Sequence, residues 1–371
     1  MNTSEQTAVL ELAAVVGSSS ALLWMRCALL TAAVVGSVGS APAFLALRRQ
    51  RVMHRNAKVV LVNLLAPQLL GCLALLPNVL YDLVWQLHFL AELQAAEPDE
   101  RPPRPHYLLT DSNACKWRSR SISVWISMPS FGILIVAVER LIATVKAKTY
   151  ENNRSSIALS AVLILLQWAV FIVVYGYDAS NTKAALEAET QLLPHCSKLL
   201  AAQQSLREVV SRSVLSKTLN VLAVCLFFAL YAVNKRRKVK VHDGESAPTL
   251  SERYQLSENK QVTKYVAKLV AIKTVMGVLV SAVQLVVAWA IMNRSSARDR
   301  YAFAPGIEAI YLPWAVEATI VWAYVIRQRQ LQSSVAPAEA LQVNKDDYFV
   351  GLKAQWDKSL HKLQRSATRR A

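Results

Sequence analysis

Charged side chains are scarce in this chain. Only 18% of its 371 residues are Asp, Glu, Lys or Arg, against about 25% in an ordinary soluble domain. Those present sit in clusters between long uncharged stretches, which excludes a single large soluble core. Catalytic signatures are missing too. There is no His/Cys/Asp group at metal-ligand spacing, no glycine-rich phosphate loop and no nucleophile elbow, and the six histidines are scattered. The expectation is therefore no enzyme, no metal and no cofactor. No internal repeat is present, which argues against a transporter. Low-complexity tracts are absent, and the one clear Pro-rich segment is Pro102-Pro103-Arg104-Pro105.

What the chain has is apolar surface: 54% of its residues are hydrophobic, with a mean hydropathy of +0.27. A hydrocarbon core about 30 Å thick is crossed by about 20 apolar helical residues. Uncharged runs of that size are 27–47, 59–81, 121–138, 155–177, 218–234 and 274–293. A seventh, 301–326, is interrupted by Glu308 and Glu317. Pro42, Pro67, Pro77, Pro129 and Pro313 fall inside these runs. Transmembrane helices tolerate proline because neighbouring groups re-satisfy the freed carbonyls. The apolar stretch Leu12–Met25 has no basic residue before it, so it lacks the charged start of a secretory signal. Residues 1–21 are expected to form an outer tail running into the first helix.

A net charge of +17 raises the question of nucleic acid, and its distribution answers against it. Loops 48–58, 139–155, 235–273 and 327–371 hold 28 Lys+Arg and 10 Asp+Glu. The alternate set, 1–26, 82–120, 178–217 and 294–300, holds 14 and 13. Nearly all the excess lies on one side, which the positive-inside rule makes cytoplasmic. The N-terminus is then outside.

Of the five cysteines, Cys27, Cys72 and Cys225 fall in spans, where cysteine acts as a small hydrophobe. Cys115 and Cys196 both fall in outer segments. In that oxidising compartment they are expected to form a disulfide from the second outer loop to the top of helix three. Asn-x-Ser acceptors occur at Asn2, Asn153 and Asn293. Asn153 is cytoplasmic on this topology, which leaves Asn2 and Asn293 as glycosylation candidates.

Span three ends in Glu139-Arg140-Leu141-Ile142-Ala143-Thr144, followed by Tyr150-Glu151. A Glu-Arg pair at a helix end either marks the membrane edge or gives arginine two alternative partners, a bistable element. The third inner loop carries Leu250-Ser251-Glu252-Arg253-Tyr254-Gln255-Leu256-Ser257-Glu258-Asn259. Together these motifs resemble the nematode serpentine chemoreceptors of the class alpha superfamily, closest to the class alpha and alpha-beta groups. The resemblance spans helices two to six. It implies a G-protein-coupled chemoreceptor of sensory neurons, with Glu139, Arg140, Tyr150 and Glu151 as the signalling motif. It further implies that Arg253, Tyr254, Gln255, Glu258 and Asn259 form the third-loop element facing the G protein. The positions of Cys115 and Cys196 match the disulfide usual in serpentine receptors. Rhodopsin-like hallmarks are absent: no acid in mid-span two, no Cys-Trp-x-Pro in span six and no Asn-Pro-x-x-Tyr in span seven. The sodium site and tyrosine switch of that group are not carried over.

Three further features carry expectations. Thr249-x-x-Glu252 is a capping box that predicts a helix from about Leu250 into span six. Lys235-Arg236-Arg237-Lys238-Val239-Lys240 is a basic cluster suited to anionic headgroups. Phe349, Leu352, Trp356, Leu360 and Leu363 share one helical face, with Lys and Arg mostly off it. That helix either lies on the inner membrane surface or packs under the bundle.

Glu308 lies near the outer mouth, where solvation would suffice. Glu317 lies deeper and needs a partner. Lys217 and Lys273 are candidates, with Lys273 placed to snorkel inward. A ligand pocket chosen from depth alone would draw on Trp85, Lys217, Asn220, Gln284, Trp289, Glu308, Tyr311, Trp314 and Glu317. The full expectation is an all-α, seven-transmembrane bundle of serpentine type. Its parts are an outer tail 1–21, a receptor domain 22–327 and a cytoplasmic tail 328–371. It would sit in the plasma membrane of sensory cells, detect an external small molecule, couple to a heterotrimeric G protein, and contact lipid but no nucleic acid. The rival reading is a seven-helix odorant-gated channel of opposite orientation, or a transporter.

Overall fold

A computed structural model describes residues 3–49, 55–96, 106–145, 158–170, 172–173, 192–193, 195, 206–242 and 250–334. Nearly all of them are helical. The helices are α1 (Thr3–Gly17), α2 (Ser20–Arg49), α3 (Arg55–Ala95), α4 (Ser112–Val145) and α5 (Ala158–Val170), then α6 (Leu206–His242), α7 (Leu250–Met292), α8 (Ala297–Tyr301) and α9 (Ala304–Ser334). A short 3-10 turn, His106–Leu108, precedes β1 (Thr110–Asp111), which pairs antiparallel with β2 (Leu192–Leu193).

Among the described residues, six helices are long and apolar enough to cross a membrane: Ser20–Arg49, Asn56–Ala95, Met128–Val145, Lys217–Arg236, Asn259–Met292 and Ala297–Gln330. The fourth expected span is represented by the shorter apolar helix α5. Packing runs in a closed ring: α2 on α3, α3 on α4, α4 on α6, α6 on α7, α7 on α9, and α9 back on α2. α5 leans on α3 and α4 through Asn63–Gln167 (2.7 Å), Trp168–Asn63 (3.1 Å) and the Trp125–Trp168 ring pair. Proline lies inside α2, α3, α4 and α9 without ending them.

The bundle carries apolar side chains outward and polar ones inward. Val38, Leu73, Leu165, Leu222, Val275 and Val286 are exposed mid-helix, while Gln68, Glu139, Arg140, Asn234, Lys273 and Glu317 are buried. Exposed apolar bands of this extent need hydrocarbon around them, so the chain is a multi-pass membrane protein.

Two boundaries differ from the expectation, those of residues 3–17 and of α9, while α7 begins where the capping box placed it. Residues 3–17 form α1, a helix in its own right. It turns at Gly17–Ser19 and packs on α8 and the outer ends of α7 and α9 through Val16, Leu22, Ile291, Tyr301 and Ile307. A β-carbon on Gly17 would stand 2.5 Å from Phe89 Cδ1, so only glycine lets the chain turn this close to α3. α7 begins at Leu250 and runs 43 residues, about 65 Å of helix at 1.5 Å per residue. α9 continues through residue 327 to Ser334. The amphipathic segment 349–363 lies outside the described residues.

The charge asymmetry puts the α1 end outside. An N-terminal epitope is expected to be labelled on intact cells, and a C-terminal one only after permeabilisation. Reversed labelling would revive the channel reading.

Candidate functional site

Polar side chains in the bundle gather at three depths. The outermost group begins with Arg26, which interrupts the apolar start of α2 and is buried. Its Nη1 donates to Gln86 Oε1 (2.9 Å) and to the Asp82 carbonyl (3.0 Å), and its Nε lies 3.8 Å from Glu308. Gln86 in turn donates to the carbonyls of Gly17 and Ser19, tying α1 to the mouth. Asn78, Asp82 and Gln86 recur every fourth residue and so line one face of α3. Arg118 on α4 reaches that face, pairing with Asp82 (2.8 Å) and donating to Asn78 Oδ1 (2.9 Å).

The β1–β2 pair delivers His195 to this group, with Nε2 3.4 Å from Glu308 Oε1. Glu308 is therefore buried and paired, not solvated as its depth suggested. Arg26 and His195, themselves buried, close over its carboxylate. Trp85, Tyr107, Tyr81, Asp82, Arg26 and His195 line a small cleft that opens to solvent. The Trp85 and Tyr107 rings pack tilted against each other at 5.2 Å between centroids. The Tyr107 hydroxyl donates to Glu92; burial and this bond push its pKa above the ordinary tyrosine value. Cys115 is disulfide-bonded and buried. Its expected partner, Cys196, lies outside the described residues.

The middle group joins α3, α7 and α9. Lys273 Nζ donates to Glu317 Oε1 (2.7 Å) and to Gln68 Oε1 (2.7 Å), while Gln68 Nε2 donates to the same Glu317 oxygen (3.1 Å). Lys273 is only 3% exposed and Glu317 5%. Lys273 thus turns across the bundle instead of snorkelling to the inner surface. A buried carboxylate on the facing helix outweighs what headgroups offer a side chain that cannot reach water. Nearby, Asn220 Nδ2 faces Ser130 Oγ at 3.4 Å, and Lys217 and Asn220 both lie against Gly277. Trp314 is buried over Gly71, where a β-carbon would stand 2.2 Å from Trp314 Cη2.

The innermost group holds the Glu139-Arg140 pair. Arg140 donates from both Nε and Nη2 to the two carboxylate oxygens of Glu139, and both residues are buried. Around it, Asn234 of α6 donates to Thr144 (3.3 Å) and Asn259 of α7 to the Ala143 carbonyl (3.3 Å). Tyr324 of α9 donates to the Tyr265 carbonyl (3.3 Å) and stacks on its ring. The inner end of α4 is thereby bonded to α6 and α7, and α7 to α9.

The nine residues chosen from depth do not converge on one pocket. Trp85 and Glu308 belong to the outer group, and Lys217, Asn220 and Glu317 to the middle one. Tyr311 and Trp314 pack in the core, and Gln284 is partly buried. Trp289 is 62% exposed and turned outward, as an aromatic of the membrane interface would be. Asn293 is exposed just after α7. Arg253, Tyr254, Gln255 and Glu258 fall in the first turns of α7, and their side chains are outside the described set; Tyr150, Glu151 and Asn2 lie outside the described residues altogether. Arg26, Asn78, Asp82, Gln86, Arg118 and His195 were not singled out from sequence. The available signal was Arg26, a lone cation within an otherwise apolar run.

Six long apolar helices and the shorter α5, packed around a column of buried polar side chains, have the architecture of a serpentine seven-transmembrane protein. A model of the serpentine type 7TM GPCR receptor class ab chemoreceptors matches residues 109–357, and the chain belongs to that family. It is 28% identical over 293 residues to serpentine receptor class alpha/beta-14 of Caenorhabditis elegans, covering 76% of this chain and 67% of that protein.

Proposed function

We propose that this protein is a G-protein-coupled chemosensory receptor of the plasma membrane of sensory cells. A small molecule from outside binds among the helices, the bundle shifts, and the inner face engages a heterotrimeric G protein. The observation that carries this reading is the burial of Glu139 and Arg140. A pair that merely marked the membrane edge would be solvated. Burying an ion pair adds little to stability, because desolvation offsets the attraction, so its use is better sought in switching. The long inner extension of α7 supplies a surface for a partner, and the basic cluster 235–240 supplies contact with anionic lipid. The match to a receptor family supports a non-enzymatic role.

The test is expression with promiscuous G proteins against an odorant panel, read by a second messenger. Ligand-evoked signalling that needs the G protein is expected. A ligand-evoked current that persists without any G protein would replace this reading by the channel.

We further propose the Cys115–Cys196 disulfide. β1–β2 holds residues 192–193 against 110–111, within a few residues of both sulfurs along the chain. Cys115→Ser and Cys196→Ser are each expected to lose most surface expression, since removing a native disulfide costs about 2–5 kcal/mol. The double variant should be no worse than either single one. Additive losses would show two independent sites.

A further inference from the structure

Among the described residues, the fully buried charges inside the bundle balance in groups. Arg26 and Arg118 face Asp82 and Glu308. Arg140 faces Glu139, and Lys273 faces Glu317. Lys217 is a half-buried cation at membrane depth that forms no such pair. It opens the membrane-spanning part of α6 at its outer end, is only partly exposed, and lies within coulombic reach of Glu317. That carboxylate is already engaged by Lys273 and Gln68. The Lys217 ammonium is held close to α7: a β-carbon on Gly277 would stand 3.0 Å from its Nζ and 3.9 Å from Asn220 Nδ2. Asn220 is 3% exposed, and its Oδ1 has no hydrogen-bond partner. Either orientation of that amide leaves one polar atom open beside the lysine. A cation at membrane depth is costly unless paired, and a buried open amide atom adds to that cost. Both deficits meet at one place, between α6 and α7 beside Gly277.

We infer that Lys217 and Asn220 form an anion subsite within the bundle, and that the receptor's ligand is an organic acid. Its carboxylate accepts from Lys217 Nζ, and a second polar group on the same molecule meets the open amide atom of Asn220. Gly277 keeps the room that any side chain would take. The assignment of a ligand to this site rests on the receptor reading above, while the charge imbalance does not.

The experiment is thermal unfolding of the full chain in detergent at neutral pH, titrated with lactate, hexanoate and benzoate, each against its methyl ester. At least one acid is expected to raise the Tm while its ester does not. Lys217→Met should raise the Tm of the unliganded protein, because it removes an uncompensated cation, and should weaken the acid's effect by about tenfold or more. Lys217→Arg should retain it. A Tm that falls in Lys217→Met would assign the lysine a structural partner and overturn the proposal. So would a panel in which no acid acts, an equal response in parent and variant, or a shift given by chloride alone. Second-messenger recordings separate the two readings. An acid that binds without signalling keeps the subsite and removes the receptor function. Neutral odorants that signal while no acid binds do the reverse.

Discussion

Glu317→Ala is expected to remove most of the folded protein from the cell surface and to lower its Tm in detergent sharply. The variant leaves Lys273 at 3% exposure without its carboxylate and leaves Gln68 with a lost acceptor. Breaking one side of a buried ion pair costs about 3–5 kcal/mol, mostly the penalty of the charge left behind. That is a large share of a total stability of about 5–15 kcal/mol. Lys273→Met should be the milder single change, because Glu317 keeps the hydrogen bond from Gln68 and lies within coulombic reach of Lys217. The double variant Lys273→Met/Glu317→Leu should recover most of the loss, since it removes both charges together. Unfolding of the four proteins in one detergent gives the coupling energy. Losses that simply add would show that the triad is not a unit.

Replacing Arg140 by Ala should abolish ligand-driven signalling by the receptor that reaches the surface, and Glu139→Gln should raise signalling without ligand per surface receptor. Arginine is charged at every physiological pH, so its partner is decided by geometry, not by protonation. In the structure Glu139 holds it by two donors at the inner end of α4, beside the bonds from Asn234 and Asn259 that tie α4 to α6 and α7. Weakening that hold frees the guanidinium for another partner. A resting-to-active ratio of 99:1 corresponds to about 2.7 kcal/mol. Loss of a charge-assisted bond of about 1.5–3 kcal/mol would therefore raise basal activity by roughly ten- to sixtyfold. The measurement is a second-messenger assay normalised to surface protein. If Arg140→Ala signals like the parent, the pair has no part in coupling.

Both variants depend on contacts that the sequence exposed to different degrees. Glu139 and Arg140 are adjacent, so their pairing needs only the local geometry of one helix. The Lys273–Glu317 contact joins residues 44 apart, and hydropathy places Lys273 at the inner edge of a span. Hydropathy reports how deep a residue sits but not which way the helix is turned about its axis. That rotation sends Lys273 toward α9 and Trp289 toward lipid. The outer group was harder to see. Arg26 meets Gln86 60 residues away, and His195 arrives only because a two-residue β pair pins its loop.

The sequence by itself determined what the bilayer demands of any chain. The lengths of the apolar runs follow from the thickness of hydrocarbon, the sidedness follows from the distribution of Lys and Arg, and the capping box at Thr249 placed the start of α7 at Leu250. These are local or additive properties that need no knowledge of neighbours. The tertiary structure alone decided which helices face each other, that α1 folds back over the mouth, and which buried charges find partners. Those outcomes depend on pairwise distances across the bundle, and the cost of an unpaired charge in low dielectric makes each of them close to all-or-none.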